Sequence, residues 1–277
     1  MVKRSILVTG CSSGIGYCAA KGLQSRGYRV FATARKQDDV DRLNAEGMES
    51  QRLDLDESAS IQSAMDDILA RTGGGLDAVF HNGAYGQTGA VEDLTREVLR
   101  KQFETNLLGW HELTNRILPV MRSQGHGRII YNSSVLGFVA MRFRGAYTAS
   151  KYAIEGLVDT LRLELHDTNI HVVLVEPGPV TSRFRKNSYA AFRANVNAEN
   201  SVHHEAYRRM IARLEKEGPA VPFTLPPEAV LKCVIHALES RRPKDRYFVT
   251  FPTYLFAGLK RILPGRWLDR ILARAGG

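Results

Sequence analysis

The chain has 277 residues, 44% of them hydrophobic, and a formal net charge of +9. That length and composition suit one large α/β domain with a substantial core, and the scatter of basic residues until the last quarter argues against a nucleic-acid partner. Cys11, Cys18 and Cys233 are odd in number and lack C-x-x-C spacing, which speaks against a disulfide framework or a metal site and makes a reducing cytoplasm the expected compartment. The apolar run after Lys3 and Arg4 is too short for a signal segment, and no stretch reaches the length of a membrane span.

Strands are expected near 4–9, 28–33, 49–53, 76–81, 127–133, 170–176 and 246–250, with amphipathic stretches between them. That alternation implies a parallel, doubly wound sheet. The first strand runs into Gly10, Gly14 and Gly16 and then into a helical pattern. Glycines there allow a tight turn and close approach of a pyrophosphate, and the helix N-terminus offers its free N–H groups to the phosphates. After the second strand, Ala34-Arg35-Lys36 supplies two cations and no acid. Because an arginine accommodates a 2′-phosphate where an acid would bond a 2′-hydroxyl, the expected cofactor is NADP(H). A solvated basic turn is the alternative, with Asp38 and Asp39 assigned to the next helix.

Tyr147 and Lys151 stand four residues apart in a helical stretch, so they share a face. At about 5 Å and an effective dielectric near 20 the ammonium would favour phenolate by roughly 3 kcal/mol, lowering the tyrosine pKa by about two units. Tyr17 and Lys21 have the same spacing but no such context, and are assigned to packing and solvated surface. Upstream of Tyr147, the strand Arg128 to Asn132 ends in Ser133 and Ser134, at the carboxyl edge where open parallel sheets bind ligands.

Together these features resemble the short-chain dehydrogenase/reductase family, in particular its hydroxysteroid dehydrogenase-like, retinol dehydrogenase-like and aldehyde reductase-like members, over residues 4 to about 182. Thr9-Gly10-Cys11-Ser12-Ser13-Gly14-Ile15-Gly16 is similar to its cofactor loop. Ser134, 13 residues before Tyr147, matches its catalytic serine, and Tyr147 to Lys151 its catalytic helix. Asn106 matches the asparagine that holds a water in a proton relay. The resemblance implies cofactor contacts at Asp54 and Leu55, at Asn82 within His81-Asn82-Gly83-Ala84, at Pro177-Gly178, and at Thr181 or Ser182. Asp54 is alternatively a cap of the following helix.

A Rossmann-like sheet of about seven strands in a single domain is therefore expected. Residues 1–250 form the catalytic unit, including an insertion at about 181–220, and 251–277 form a tail. In the implied reaction a hydride passes between NADP(H) and an apolar carbonyl or alcohol. Tyr147 moves the proton, Lys151 lowers its pKa and binds the ribose, Ser134 bonds the substrate oxygen, and Asn106 with a water refills the proton. The alternative is a non-catalytic NADP(H)-sensing regulator.

His203 and His204 lie in the insertion with no metal spacing and are assigned to a solvated loop, and His81 to strand-end packing. The stretches 97–121 and 147–166 carry long apolar faces that in relatives often build a homodimer or homotetramer. In the tail, Phe251, Tyr254, Leu255, Leu259, Ile262, Leu263, Trp267, Leu268, Ile271 and Leu272 recur at helical spacing, broken by Pro264-Gly265 and interspersed with Lys260, Arg261, Arg266, Arg270 and Arg274. Two short amphipathic helices are expected there, packed beside the substrate mouth or docked on an anionic membrane.

Overall fold

The structure, a computed structural model, describes residues 3–215, 218 and 221–275. Residues 216, 217, 219 and 220 of the expected insertion, and 276–277 of the tail, therefore lie outside the described residues. The first half runs β1 Ser5–Val8, α1 Gly14–Ser25, β2 Arg29–Ala34, α2 Gln37–Ala45, β3 Glu49–Arg52, α3 Ser58–Thr72, β4 Ala78–His81, α4 Arg96–Phe103 and α5 Gly109–Gln124. The second runs β5 Gly127–Asn132, α6 Gly145–Glu164, β6 Ile170–Glu176, α7 Phe184–Asn195, α8 His204–Glu215, α9 Glu228–Glu239, β7 Arg246–Phe248, α10 Phe251–Ile262 and α11 Gly265–Ala275.

The seven strands form one sheet in the order β3-β2-β1-β4-β5-β6-β7, and every pairing is parallel. Alternate residues serve opposite faces. Ile6, Val8, Ala32 and Phe80 pack with α1, α2 and α9, whereas Leu7, Phe31, Val79 and Tyr131 pack with α3, α5 and α6. Burial on both faces explains why these strands read as short apolar runs. The chain reverses its direction of travel across the sheet between β1 and β4, and the carboxyl ends of those strands open the crevice in which ligands of such folds bind.

The expected long helix over 97–121 is interrupted. Between α4 and α5 the backbone takes one π-helical turn, Glu104–Leu108, and Asn106 lies in it, fully buried. Such wide turns inside helices are frequent at functional sites.

The insertion is helical. In it α7 and α8 share a small core of Phe192, Tyr207, Met210 and Leu214, anchored where Ala90 N–H donates to the Tyr207 hydroxyl at 2.8 Å. The solvated-loop reading is thereby corrected for His203, while His204 is solvated as expected but helical. His204 begins α8, while His203 Nε2 lies 2.6 Å from Glu92 and its ring meets Phe143 at 5.6 Å, because burying Tyr207 pulls this end of the helix onto the β4–α4 loop.

Candidate active site

Each glycine of the cofactor loop has its own steric reason. A Cβ on Gly10 (φ +72°) would stand 2.6 Å from Gly83 Cα, and one on Gly16 2.3 Å from the Gly10 carbonyl. Both are closed by the chain itself. Gly14 (φ +58°) faces the segment after β6, where its Cβ would meet Ser182 at 2.9 Å. The loop and the Pro177–Ser182 segment thus form the two banks of one narrow groove. Ser13, in extended conformation, precedes α1, whose first-turn N–H groups have no partner within the helix. This cradle fits a dinucleotide pyrophosphate.

Around the groove the remaining expected contacts separate. Arg35 and Lys36 stand exposed just beyond β2. Sequence reasoning missed Arg42, which reaches back from α2 to donate to the Ser12 carbonyl at 2.8 Å. Asp54 is no helix cap, since α3 begins only at Ser58; it accepts the Asp56 N–H at 3.2 Å and lies 3.8 Å from Arg52. The Leu55 carbonyl would stand 2.2 Å from a Cβ on Gly109, so it sits tight against the start of α5. Asn82 is a strut: its amide donates to Thr9 O at 3.0 Å and accepts from Asn132 Nδ2 at 2.9 Å, tying β4 to β1 and β5.

Thr181 pairs through its N–H with Leu225 O at 2.9 Å, and Ser182 lies against Gly14 of the glycine loop. A Cβ on Gly178 would stand 2.2 Å from Thr250 Oγ1 and 3.0 Å from Thr253 Oγ1, so the start of α10 presses directly on this segment.

Tyr147 and Lys151 project from the first turns of α6 toward Ser134 at the end of β5. Lys151 Nζ donates to the Asn132 carbonyl at 2.8 Å, lies 5.6 Å from the Tyr147 ring centre and 4.3 Å above the Trp110 ring. Trp110 is itself fully buried and pinned by its Nε1–H to Gly83 O at 2.8 Å, with His81 stacked beside it at 5.6 Å. Of the three ammonium donors, one is thus met by a carbonyl and one faces an aromatic ring, leaving a third for the site.

The expected downward shift of the phenol is not what the structure shows. Burial pushes Tyr147 up to about 12, with the Ser134 hydroxyl pulling the other way, and burial pushes Lys151 down to about 7, opposed by the Glu155 carboxylate. The attraction between ammonium and phenol is outweighed by the loss of water, which penalises the charged form of both groups.

Asn106 accepts from Tyr85 N–H at 3.2 Å and donates to Tyr85 O at 2.9 Å and to Ser150 Oγ at 3.1 Å. Ser150 in turn donates to the Tyr147 carbonyl at 2.8 Å. The asparagine therefore braces the start of α6 from the π turn.

Beneath the site lies a charged cluster that sequence reasoning also missed. Glu155, one turn beyond Lys151, accepts from Ser133 Oγ and from Arg246, which also binds Glu176 and, at 2.7 Å, Asp159. Burial and the neighbouring Glu155 push Glu176 up to about 8, against the pull of Arg246. The cluster joins the end of β5, α6, β6 and β7 beneath Ser134, Tyr147 and Lys151. Its spacing was visible in principle, since Tyr147, Lys151 and Glu155 recur at i, i+4, i+8.

The Tyr147 ring opens onto apolar side chains. Phe184 lies 5.1 Å from it, Leu136 and Val139 adjoin it, and Phe256, Leu268 and Leu272 of the two tail helices complete the same cluster. No group of three or more His, Cys, Asp or Glu among the described residues could hold a metal ion. Tyr17, by contrast, donates to Glu46 at 2.6 Å on the exposed surface, apart from this constellation.

The short chain dehydrogenase family model matches residues 4–192. The uncharacterized oxidoreductase YbbO of Escherichia coli (strain K12) is 42% identical over 98% of this chain and 95% of its own. The 3-ketodihydrosphingosine reductase of Bacteroides thetaiotaomicron is 32% identical over 78% of each chain. Among solved structures, actinorhodin polyketide ketoreductase with NADPH superposes with a TM-score of 0.73 at 27% identity, covering 89% of this chain and 95% of that one. The glycine cradle at the β1–β4 reversal, the Ser134–Tyr147–Lys151 constellation and these likenesses agree: the chain belongs to the short-chain dehydrogenase/reductase family of oxidoreductases acting on alcohol and carbonyl groups.

Proposed function

We propose that the protein is an NADPH-dependent reductase of apolar aldehydes or ketones, able to run in reverse on the corresponding alcohols. The observation that carries this reading is the position of Tyr147: its hydroxyl-bearing ring is paired with Ser134 on one side and walled by Phe184, Leu136 and Leu272 on the other. An apolar wall around a single phenol–hydroxyl pair suits a carbonyl carried on a hydrophobic body. The reductase names of the relatives above point the same way.

Arg35 and Lys36 beyond β2 would hold the 2′-phosphate, the first turn of α1 the pyrophosphate, and Pro177–Ser182 the nicotinamide end. When bound, the nicotinamide supplies or removes a hydride at the substrate carbon. Ser134 Oγ donates to the substrate oxygen as negative charge builds there, and Tyr147 Oη delivers the proton to it. A phenol held up at about 12 is a donor that keeps its proton until that charge develops, and its burial excludes water from the transfer. Lys151, its third donor directed into the site, stabilises the tyrosinate that remains. Asn106, through Ser150 and the Tyr85 backbone, holds the start of α6 in register for this exchange.

Exposed Leu108, Tyr152 and Leu163 on the π turn and α6 fit a homodimer or homotetramer built on those helices. Three free cysteines suit a reducing cytoplasm; Cys11 is pushed up to about 12 and Cys18 to about 11, chiefly by burial, so neither is a ready nucleophile. A panel of carbonyl compounds of graded size, followed by NADPH oxidation, tests the reading. Turnover that improves with apolar bulk supports it, and turnover of none of them would favour a cofactor-sensing protein instead.

A further inference from the structure

The two tail helices have one face spoken for and one that is not. Inward, Thr253 is fully buried, Phe256, Leu268 and Leu272 join the Tyr147 cluster, and Lys260 fastens α10 by donating to Phe138 O at 2.5 Å while lying over the Tyr152 ring. Outward, α10 carries a second apolar stripe. Phe251, Leu255, Gly258 and Ile262 recur at i, i+4, i+7 and i+11, and the three side chains are 56%, 42% and 79% exposed, with the exposed Phe223 ring extending the patch 5.0 Å from Phe251. A helix with a stripe on its solvent side as well as its core side is looking for a second partner.

The chemistry of that partner is set by the charges beside the stripe. On α11, Trp267 and Ile271 are 61% and 40% exposed, and Arg266, Arg270 and Arg274 share the helix with them. Arg261 stands next to Ile262. None of these four arginines forms an ion pair with a described residue, and Asp269 is the one acid between 251 and 275. Like charges would face each other if a second copy docked here, whereas the anionic headgroups of a bilayer offer the opposite sign above an apolar layer. We infer that the outer face of α10 and α11 docks on an anionic phospholipid membrane, Phe251, Leu255, Ile262, Trp267 and Ile271 entering the headgroup boundary and the arginines meeting lipid phosphates. No helix among the described residues is long and apolar enough to cross a membrane, so the contact is one of lying on the surface. The inference rests on the reductase reading only for its purpose: the lipid-facing helices are the ones that wall the catalytic tyrosine, so an apolar substrate dissolved in the bilayer is delivered one helix thickness from Tyr147.

The test is flotation of the full chain with vesicles of phosphatidylcholine alone or mixed with phosphatidylglycerol, at low and high salt. The expected result is binding to the mixed vesicles only, released by salt. Replacing Arg266, Arg270 and Arg274 with Gln should weaken it about fivefold per arginine, and Ile262→Glu with Trp267→Glu should abolish it. Thermal unfolding confirms that each variant is folded. Failure of the unaltered chain to float, equal binding to neutral vesicles, or an undiminished arginine variant would overturn the inference. So would a concentration-dependent oligomer that Ile262→Glu with Trp267→Glu dissolves, because a second copy would then be the occupant. Vesicle binding needs no turnover, so a protein that floats but reduces no carbonyl would sink the functional reading and leave this one standing.

Discussion

The buried ammonium of Lys151 is the residue on which the site turns, since burial alone would discharge it. The Trp110 ring 4.3 Å beneath it offers a compensating attraction of about 2 kcal/mol in a desolvated setting, worth more than one pK unit. Trp110→Leu should therefore lower the lysine's pKa further and make dinucleotide affinity fall more steeply between pH 6 and pH 8. Trp110→Phe, which keeps a ring, should recover most of the loss. Equal pH profiles for all three proteins would mean that the ring only fills space. Lys151 also leaves a mark on stability. Its pKa is depressed from 10.5 to about 7, so its contribution is full above the unfolded value and is lost as pH falls toward 7, with a slope of up to about 1.4 kcal/mol per pH unit. Lys151→Met should flatten the unfolding curve between pH 10 and pH 7, as thermal melts at the two ends would show. At Arg35 the expectation concerns choice rather than rate. Arg35→Asp should cost NADPH tenfold or more in kcat/KM, by removing a charge-assisted partner worth about 1.5–3 kcal/mol, and should favour NADH. An unaltered protein that already prefers NADH would overturn the cofactor assignment.

Among the elements, the strands were legible to within two residues, the central β1, β4, β5 and β6 because burial on both faces leaves apolar runs, and the polar edge strand β3, Glu49–Arg52, through its place in the strand–helix alternation. Ser134, Tyr147 and the glycines were singled out through their resemblance to the family's motifs, and the fold brings Ser134 and Tyr147 together at the carboxyl edge of the sheet. Trp110 and Arg42 were not: each acts on a group far away in sequence, and nothing in its own helix marks it. The sign of the tyrosine shift was misjudged for a related reason, since the i, i+4 attraction is local while loss of water depends on the whole fold. The insertion read as a polar stretch because Phe192, Tyr207, Met210 and Leu214 are few and bury one another across two helices. The tail was legible as two helices, and α11 places Leu268 and Leu272 in the apolar cluster that contains Tyr147. Ending the chain after Leu263 should raise KM several-fold more for long-chain or polycyclic carbonyls than for small ones, because about 1.5–3 kcal/mol of apolar contact per leucine is at stake. An equal rise for both classes would indicate general loosening instead.

At the scale of the whole molecule, the reversal between β1 and β4 opens the cofactor groove, and the insertion and tail close over the phenol from two sides. Thr250 and Thr253, buried against Gly178, tie the start of α10 to the Pro177–Ser182 segment beside the glycine loop. In the proposed reaction this assembly transfers a hydride with Tyr147 as proton donor. The most direct measurement is NADPH oxidation with an apolar ketone by the unaltered chain and by Tyr147→Phe, beside the NADPH dissociation constant of each. Tyr147→Phe should lose at least about 10²-fold in kcat, with cofactor affinity unchanged within a few-fold. Turnover by Tyr147→Phe within tenfold of the unaltered chain would contradict the proposed reaction.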